Sequence, residues 1–168
     1  SALFRPGFYA LADSVLTHPF TFIALRPFDD KQGSHFDGYR LGLWPSERGR
    51  RVTQPYENPD GFIEVTPDNQ DTPISEHFRL KDFLTHHQKE VWPKILLLNE
   101  DLVDKLELVI EELERGGVKV RHMAVMSGFR TPWYNRNGGR TGGRAELSRH
   151  MYGGGPHIFV DNARKGGM

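Results

Sequence analysis

The sequence predicts a protein of mixed helix and strand, with a small β-rich region at its N-terminal end. Three observations predict it: short alternating runs within residues 1–74, one strongly amphipathic stretch near residue 100, and a strand-like run directly after it. The chain has 168 residues, room for one domain with a real core and a short appended arm. Apolar residues make up 37% and charged residues 26%, a globular rather than a disordered composition.

Residues 20–25 (FTFIAL), 39–44 (YRLGLW) and 61–65 (GFIEV) read as short strands. Asp37-Gly38 and Asp60-Gly61 are turn dipeptides at their edges. Residues 45–59 carry charge, Pro and Asn without periodicity and read as a loop. Trp44, Tyr56 and Phe62 are expected to be exposed aromatics of this region. Ser75 is placed to cap a first helix that includes Phe78, Leu80, Phe83 and Leu84, and Trp92-Pro93 interrupts the pattern. The clearest element follows. Asn99 is an N-cap, Glu100 and Asp101 suit the positive helix end, and Gly116-Gly117 stop it. Leu102, Leu106, Val109, Ile110 and Leu113 share one face and form a core stripe. Residues 118–126 (VKVRHMAVM) alternate like a strand with both faces largely covered. Half of the 18 glycines lie after residue 137. Polar and aromatic clusters among them favour loops around a site over a linker.

Lys+Arg and Asp+Glu are both 22, so the net charge is zero and the basic excess of a sequence-independent nucleic-acid binder is missing. Arg136, Arg140, Arg144 and Arg149 make a local basic patch, but arginines in a Gly-rich loop suit anionic glycan peptides equally well. The longest apolar run is residues 95–98, far short of the roughly 20 residues that span a membrane. No cysteine is present, which excludes disulfides, thiolate zinc fingers, Fe–S clusters and a cysteine nucleophile. No charged-then-apolar signal segment opens the chain, so the protein is expected either to be cytosolic or to begin after processing, and a start at Ser favours the second.

Two clusters could carry chemistry. In residues 127–132 (SGFRTP), Gly128 permits a turn that a side chain would strain, Thr131 is a plausible N-cap and Pro132 suits a first helical position. Arg130 therefore sits at a strand-to-helix junction, reading either as a site residue or as a surface arginine in a turn. Residues 148–161 (SRHMYGGGPHIFVD) place His150 and His157 seven apart, with Asp161 four further on. Imidazole and carboxylate are ordinary zinc ligands, and a following strand can hold them rigidly. The spacing alone is unspecific and reads as readily as two unrelated histidines. His86-His87 adjoin an expected helix end and cannot both face one metal. His122 reads as a packed strand residue, and His18, His35 and His77 as structural or exposed.

Residues 127–136 (SGFRTPWYNR) resemble the Ser-Gly-(Tyr/Phe)-Arg-(Ser/Thr)-Pro-x-Tyr-Asn signature of the zinc D-Ala-D-Ala carboxypeptidases, and Ser148-x-His150-x-x-Gly153 resembles the first half of their second motif. Residues 77–83 (HFRLKDF) and 92–115 are similar to the same family. The resemblance covers residues 75 to about 161 and implies an α+β fold of the Hedgehog/DD-peptidase type over 75–168, preceded by a β-rich arm or subdomain over 1–74. It implies a zinc-dependent peptidase that cleaves peptidoglycan stem peptides by metal-activated water in the bacterial cell envelope. His150 maps onto a zinc ligand, Arg130 onto the arginine that binds the substrate carbonyl or carboxylate, and Ser148 onto a supporting polar residue near the metal. The family's Asp ligand position holds His157 here, Gly155 stands where the family has Ala, and Asp161 is an alternative carboxylate. The family's later Glu and His segment does not follow. The domain is thus expected to be C-terminally incomplete or catalytically inactive, the latter as a cell-wall-binding or assembly protein with a protein partner on its β region.

Overall fold

The computed structural model describes residues 7–11, 20–120, 123–137 and 144–160. It is a mixed structure of two helices and small antiparallel sheets, consistent with the α+β class. β1 (Gly7–Leu11) pairs with β2 (Phe20–Ala24). β3 (Arg26–Pro27), β6 (Gly61–Val65) and β7 (Lys94–Leu96) form a three-stranded sheet with β6 in the middle. Between them β4 (His35–Phe36) and β5 (Tyr39–Arg40) make a two-residue ladder. α1 (Glu100–Arg115) leads to β8 (Met123–Ser127), then α2 (Pro132–Asn137), and β9 (His157–Val160) pairs back on β8. No helix among the described residues is long and apolar enough to cross a membrane.

Burial of large side chains explains this arrangement. One cluster joins Phe36, Tyr39, Trp44 and Phe62 to Phe83, Ile95, Ile110 and Phe129. The expectation that Trp44 and Phe62 are exposed is therefore corrected: both are 0% exposed. Their rings pack tilted at 5.7 Å, and the Trp44 indole N–H donates to the Met151 carbonyl at 3.0 Å, so neither is available to a partner. Tyr56 is half-buried.

Four elements differ from the sequence reading. The run from 39 to 44 stops at Arg40, because Gly42 has φ +85° and the Leu41 and Gly42 amides turn back to the Ser34 carbonyl. The helix expected from Ser75 is only a 3-10 turn, Leu80–Phe83. Ahead of it, Ile74 N–H bonds to Phe78 O and Pro73 bridges Arg79, which withdraws the preceding backbone from helical pairing. Phe78, Leu80 and Phe83 are buried all the same. On α1 the buried positions are Val103, Leu106 and Ile110, so the inward face is rotated from the expected stripe and Val109 is exposed. Asn99 does stand at the N-cap, but through its carbonyl, which accepts from Leu102 N–H; its side chain makes no cap bond. The strand expected over 118–126 is the shorter β8, whose Met126 is exposed rather than covered.

Candidate functional site

β8 ends at Ser127, directly opposite His157 at the start of β9, with an irregularity in register between Val125 and Ser127. The chain then turns through Gly128 against Phe83. A Cβ at Gly128 would lie 2.7 Å from the Phe83 backbone, closer than real contacts allow, so glycine is required by approach rather than by dihedral angle. Phe129 N–H donates to Phe83 O at 2.9 Å, and the Thr85 hydroxyl donates to Phe129 O at 2.8 Å. Thr131 N–H reaches the Thr85 hydroxyl at 3.2 Å, and Thr131 Oγ1 accepts from Tyr134 N–H at 3.1 Å. That last bond is the N-cap of α2 expected from Thr131-Pro132. Arg130 is thus held from both sides, and its Nε donates to Ser127 Oγ at 2.7 Å.

A 3-10 turn, Arg149–Tyr152, carries His150 to the same place. Gly153 closes it at φ +72°, where a Cβ would lie 2.6 Å from Leu97 O, and Asn99 N–H donates to Gly153 O. The Trp44 and Tyr152 bonds, to Met151 O and Tyr56 O respectively, tie this turn to the first half of the chain. The Arg130 amide donates to His150 O at 2.9 Å. The His150 ring is buried, and its Nδ1 lies 2.9 Å from Gly128 O. A carbonyl only accepts, so the proton sits on Nδ1 and Nε2 carries the lone pair. Burial, then the charges of Arg130, His157 and Arg144, push the His150 pKa below its ordinary value; the bond to Gly128 opposes them. The ring is therefore a neutral, oriented donor. The exposed His157 ring meets it edge-on, with centroids 4.9 Å apart.

Arg144 packs against α2. Its Nη1 donates to the Tyr134 carbonyl at 2.8 Å, and its guanidinium lies 4.8 Å from the centre of the Tyr134 ring. Burial and the Arg144 charge lower the Arg130 pKa, with Tyr134 opposing.

The structure thus brings together Arg130, His150 and His157 of the expected site residues. Ser148 sits at the N-cap position of the 3-10 turn, half-buried, with no cap bond from its hydroxyl. Asp161 lies outside the described residues, as do His18, His122 and Arg140. His86 bonds to Met126 O, and His77 pairs with Glu107 at 2.6 Å. His87 contacts Tyr39, Trp133 and Tyr134, which the sequence did not signal. Arg144 stood in the sequence only as part of a basic patch; nothing in its spacing from Tyr134 across a glycine-rich loop reveals that its guanidinium rests on that ring. Among the described residues no group of three His, Cys, Asp or Glu side chains could hold a metal. No family model, curated protein or solved structure matches the chain.

Proposed function

We propose that this chain is a zinc peptidase of the D-Ala-D-Ala carboxypeptidase type, on a Hedgehog-type fold, acting on peptidoglycan stem peptides in the bacterial envelope. One observation carries the reading: a neutral His150, its proton fixed on Nδ1 by Gly128 O, is bonded through its own backbone to Arg130 and has the His157 ring beside it.

Two of the described side chains, His150 and His157, are of a type that zinc binds. A metal-binding imidazole commonly donates its other ring N–H to a carbonyl, which fixes tautomer and orientation, and His150 does so. A second imidazole, His157, lies beside it with ring centres 4.9 Å apart. His150 and His157 would hold the ion, and Asp161 is the carboxylate the sequence offers as a third donor. When bound, zinc supplies an acidified water and a Lewis acid for the scissile carbonyl. Arg130 presents a guanidinium steadied by Ser127 Oγ, suited to the substrate's carbonyl or carboxylate oxygen. Ser148, two positions before His150, would be a supporting polar residue near the metal.

Elemental analysis with a D-Ala-release assay tests this. The expected result is about one zinc per chain, lost with release in His150→Ala. Arg130→Ala retains zinc while release falls by roughly 10²–10³-fold, as for removal of an oxyanion donor. Zinc retained by His150→Ala, or no release from the zinc-loaded chain, rejects the reading. A second reading, a non-catalytic cell-wall-binding module, draws on the observation that two described donors stand where a water-activating centre uses three. Stem-peptide binding without zinc and without release would select it.

A further inference from the structure

A long side chain such as that of Arg130 meets one defined point only if its Cα is held. The two peptide planes that flank the Cα set φ and ψ, and with them the direction of the Cα–Cβ bond. The plane before Arg130 is held at both ends. Phe129 O accepts from the Thr85 hydroxyl at 2.8 Å, and Arg130 N–H donates to His150 O at 2.9 Å. The plane after it is held by Thr131 N–H, which donates to the same Thr85 oxygen at 3.2 Å. One hydroxyl thus uses its proton on one side of Arg130 and a lone pair on the other.

The surroundings fix Thr85 in this place. It is 5% exposed, so water does not compete for either bond. Phe83 O accepts from Phe129 N–H, and Thr85 O accepts from His87 N–H, which ties the backbone on both sides of the threonine. Packing alone does not call for a hydroxyl here. A valine would fill similar space without burying a polar group, so the two bonds are what the oxygen contributes.

We infer that Thr85 is a positioning residue for Arg130: it sets the direction in which the guanidinium points and, being buried, acts only through that arginine. This deepens the peptidase reading. Its kinetic consequence rests on that reading, whereas its geometric consequence stands apart from it.

Nitrogen-15 NMR of the labelled chain reads the geometry. The Arg130 Nε–H signal is identified by its loss in Arg130→Lys. Bonded to Ser127 Oγ, it is expected to exchange with water about 10-fold more slowly than that of the exposed Arg149. Thr85→Val is expected to erase most of this difference, and Thr85→Ser, which keeps the hydroxyl, to preserve it. Thr85→Ala is run beside Thr85→Val, so that one poorly folding variant does not decide the result. In the zinc-loaded chain, Thr85→Val should lower kcat/KM for D-Ala release from a peptide ending in D-Ala-D-Ala by about 10-fold, with zinc content unchanged. It should change nothing further in an Arg130→Gln background. An equal fall in both backgrounds marks a general structural role and overturns the inference. Fast exchange at Arg130 Nε–H in the parent, or slow exchange that survives loss of the hydroxyl, overturns it too. A zinc-loaded parent that releases no D-Ala rejects the peptidase reading, and the exchange measurement then decides the role of Thr85 by itself.

Discussion

His87 shows how a single side chain carries a pH dependence unrelated to the metal question. Its Nε2 lies 2.9 Å from Thr131 Oγ1, and the Tyr39, Trp133 and Tyr134 rings surround it. Burial first, and then the Lys94 charge, hold its pKa below the ordinary imidazole value; a backbone hydrogen bond opposes them. The unfolded chain takes up this proton at about pH 6.5 and the folded chain only at lower pH. The stability conferred by a neutral His87 is therefore complete above about pH 6.5 and is lost as pH falls through the folded value. Urea midpoints measured at about pH 7.5 and about pH 5.5 should show the drop, and His87→Gln should reduce it. His150 contributes with the same sign, so some slope will remain. A drop of equal size in His87→Gln would discount the role of this ring. Glu107, whose pKa is also lowered, acts only below the usual carboxylate range and leaves this window clear.

At the level of elements, the junction of β8 and α2 decides where Arg130 points. Thr131 is fully buried and serves both as the cap of α2 and as the partner of His87. Thr131→Ala should cost about 1 kcal/mol for the cap, with any excess reporting the His87 bond. Gly128→Ala forces a Cβ against the Phe83 backbone and should cost about 1–3 kcal/mol. It should also displace Arg130, whereas Thr131→Ala disturbs the helix start more than the turn. Equilibrium urea unfolding measures both losses. A Gly128→Ala protein as stable as the parent would contradict the close approach of Phe83.

For the whole molecule, Trp44 links the first half of the chain to the histidine-bearing turn. It is fully buried, packs on Phe28 and Phe62, and donates to Met151 O. Trp44→Ala should cost about 3–5 kcal/mol, through lost contacts and an unsatisfied Met151 carbonyl. Because the core runs across residues 74 and 75, fluorescence and circular dichroism should follow one coincident transition. Two separated transitions would establish an independently folding N-terminal unit.

The sequence by itself determined what local chemistry settles. Asn99, the acidic first turn and the Gly116-Gly117 stop bounded α1, and Thr131-Pro132 began α2, because caps and glycines act within a few residues. Residues 61–65 read as a strand on their apolar run and are one, and the strand expected beside the histidine cluster is β9. Arg130, His150 and His157 could be named from their motifs, but spacing along the chain carries no distance between them. Only the tertiary structure decided that Ser127 and His157 face each other across a ladder, that Gly128 O fixes the His150 tautomer, and that Arg144 returns onto the Tyr134 ring. It likewise decided that Trp44 and Phe62 lie inside and Val109 outside, because burial depends on what packs opposite, and no local pattern holds that information.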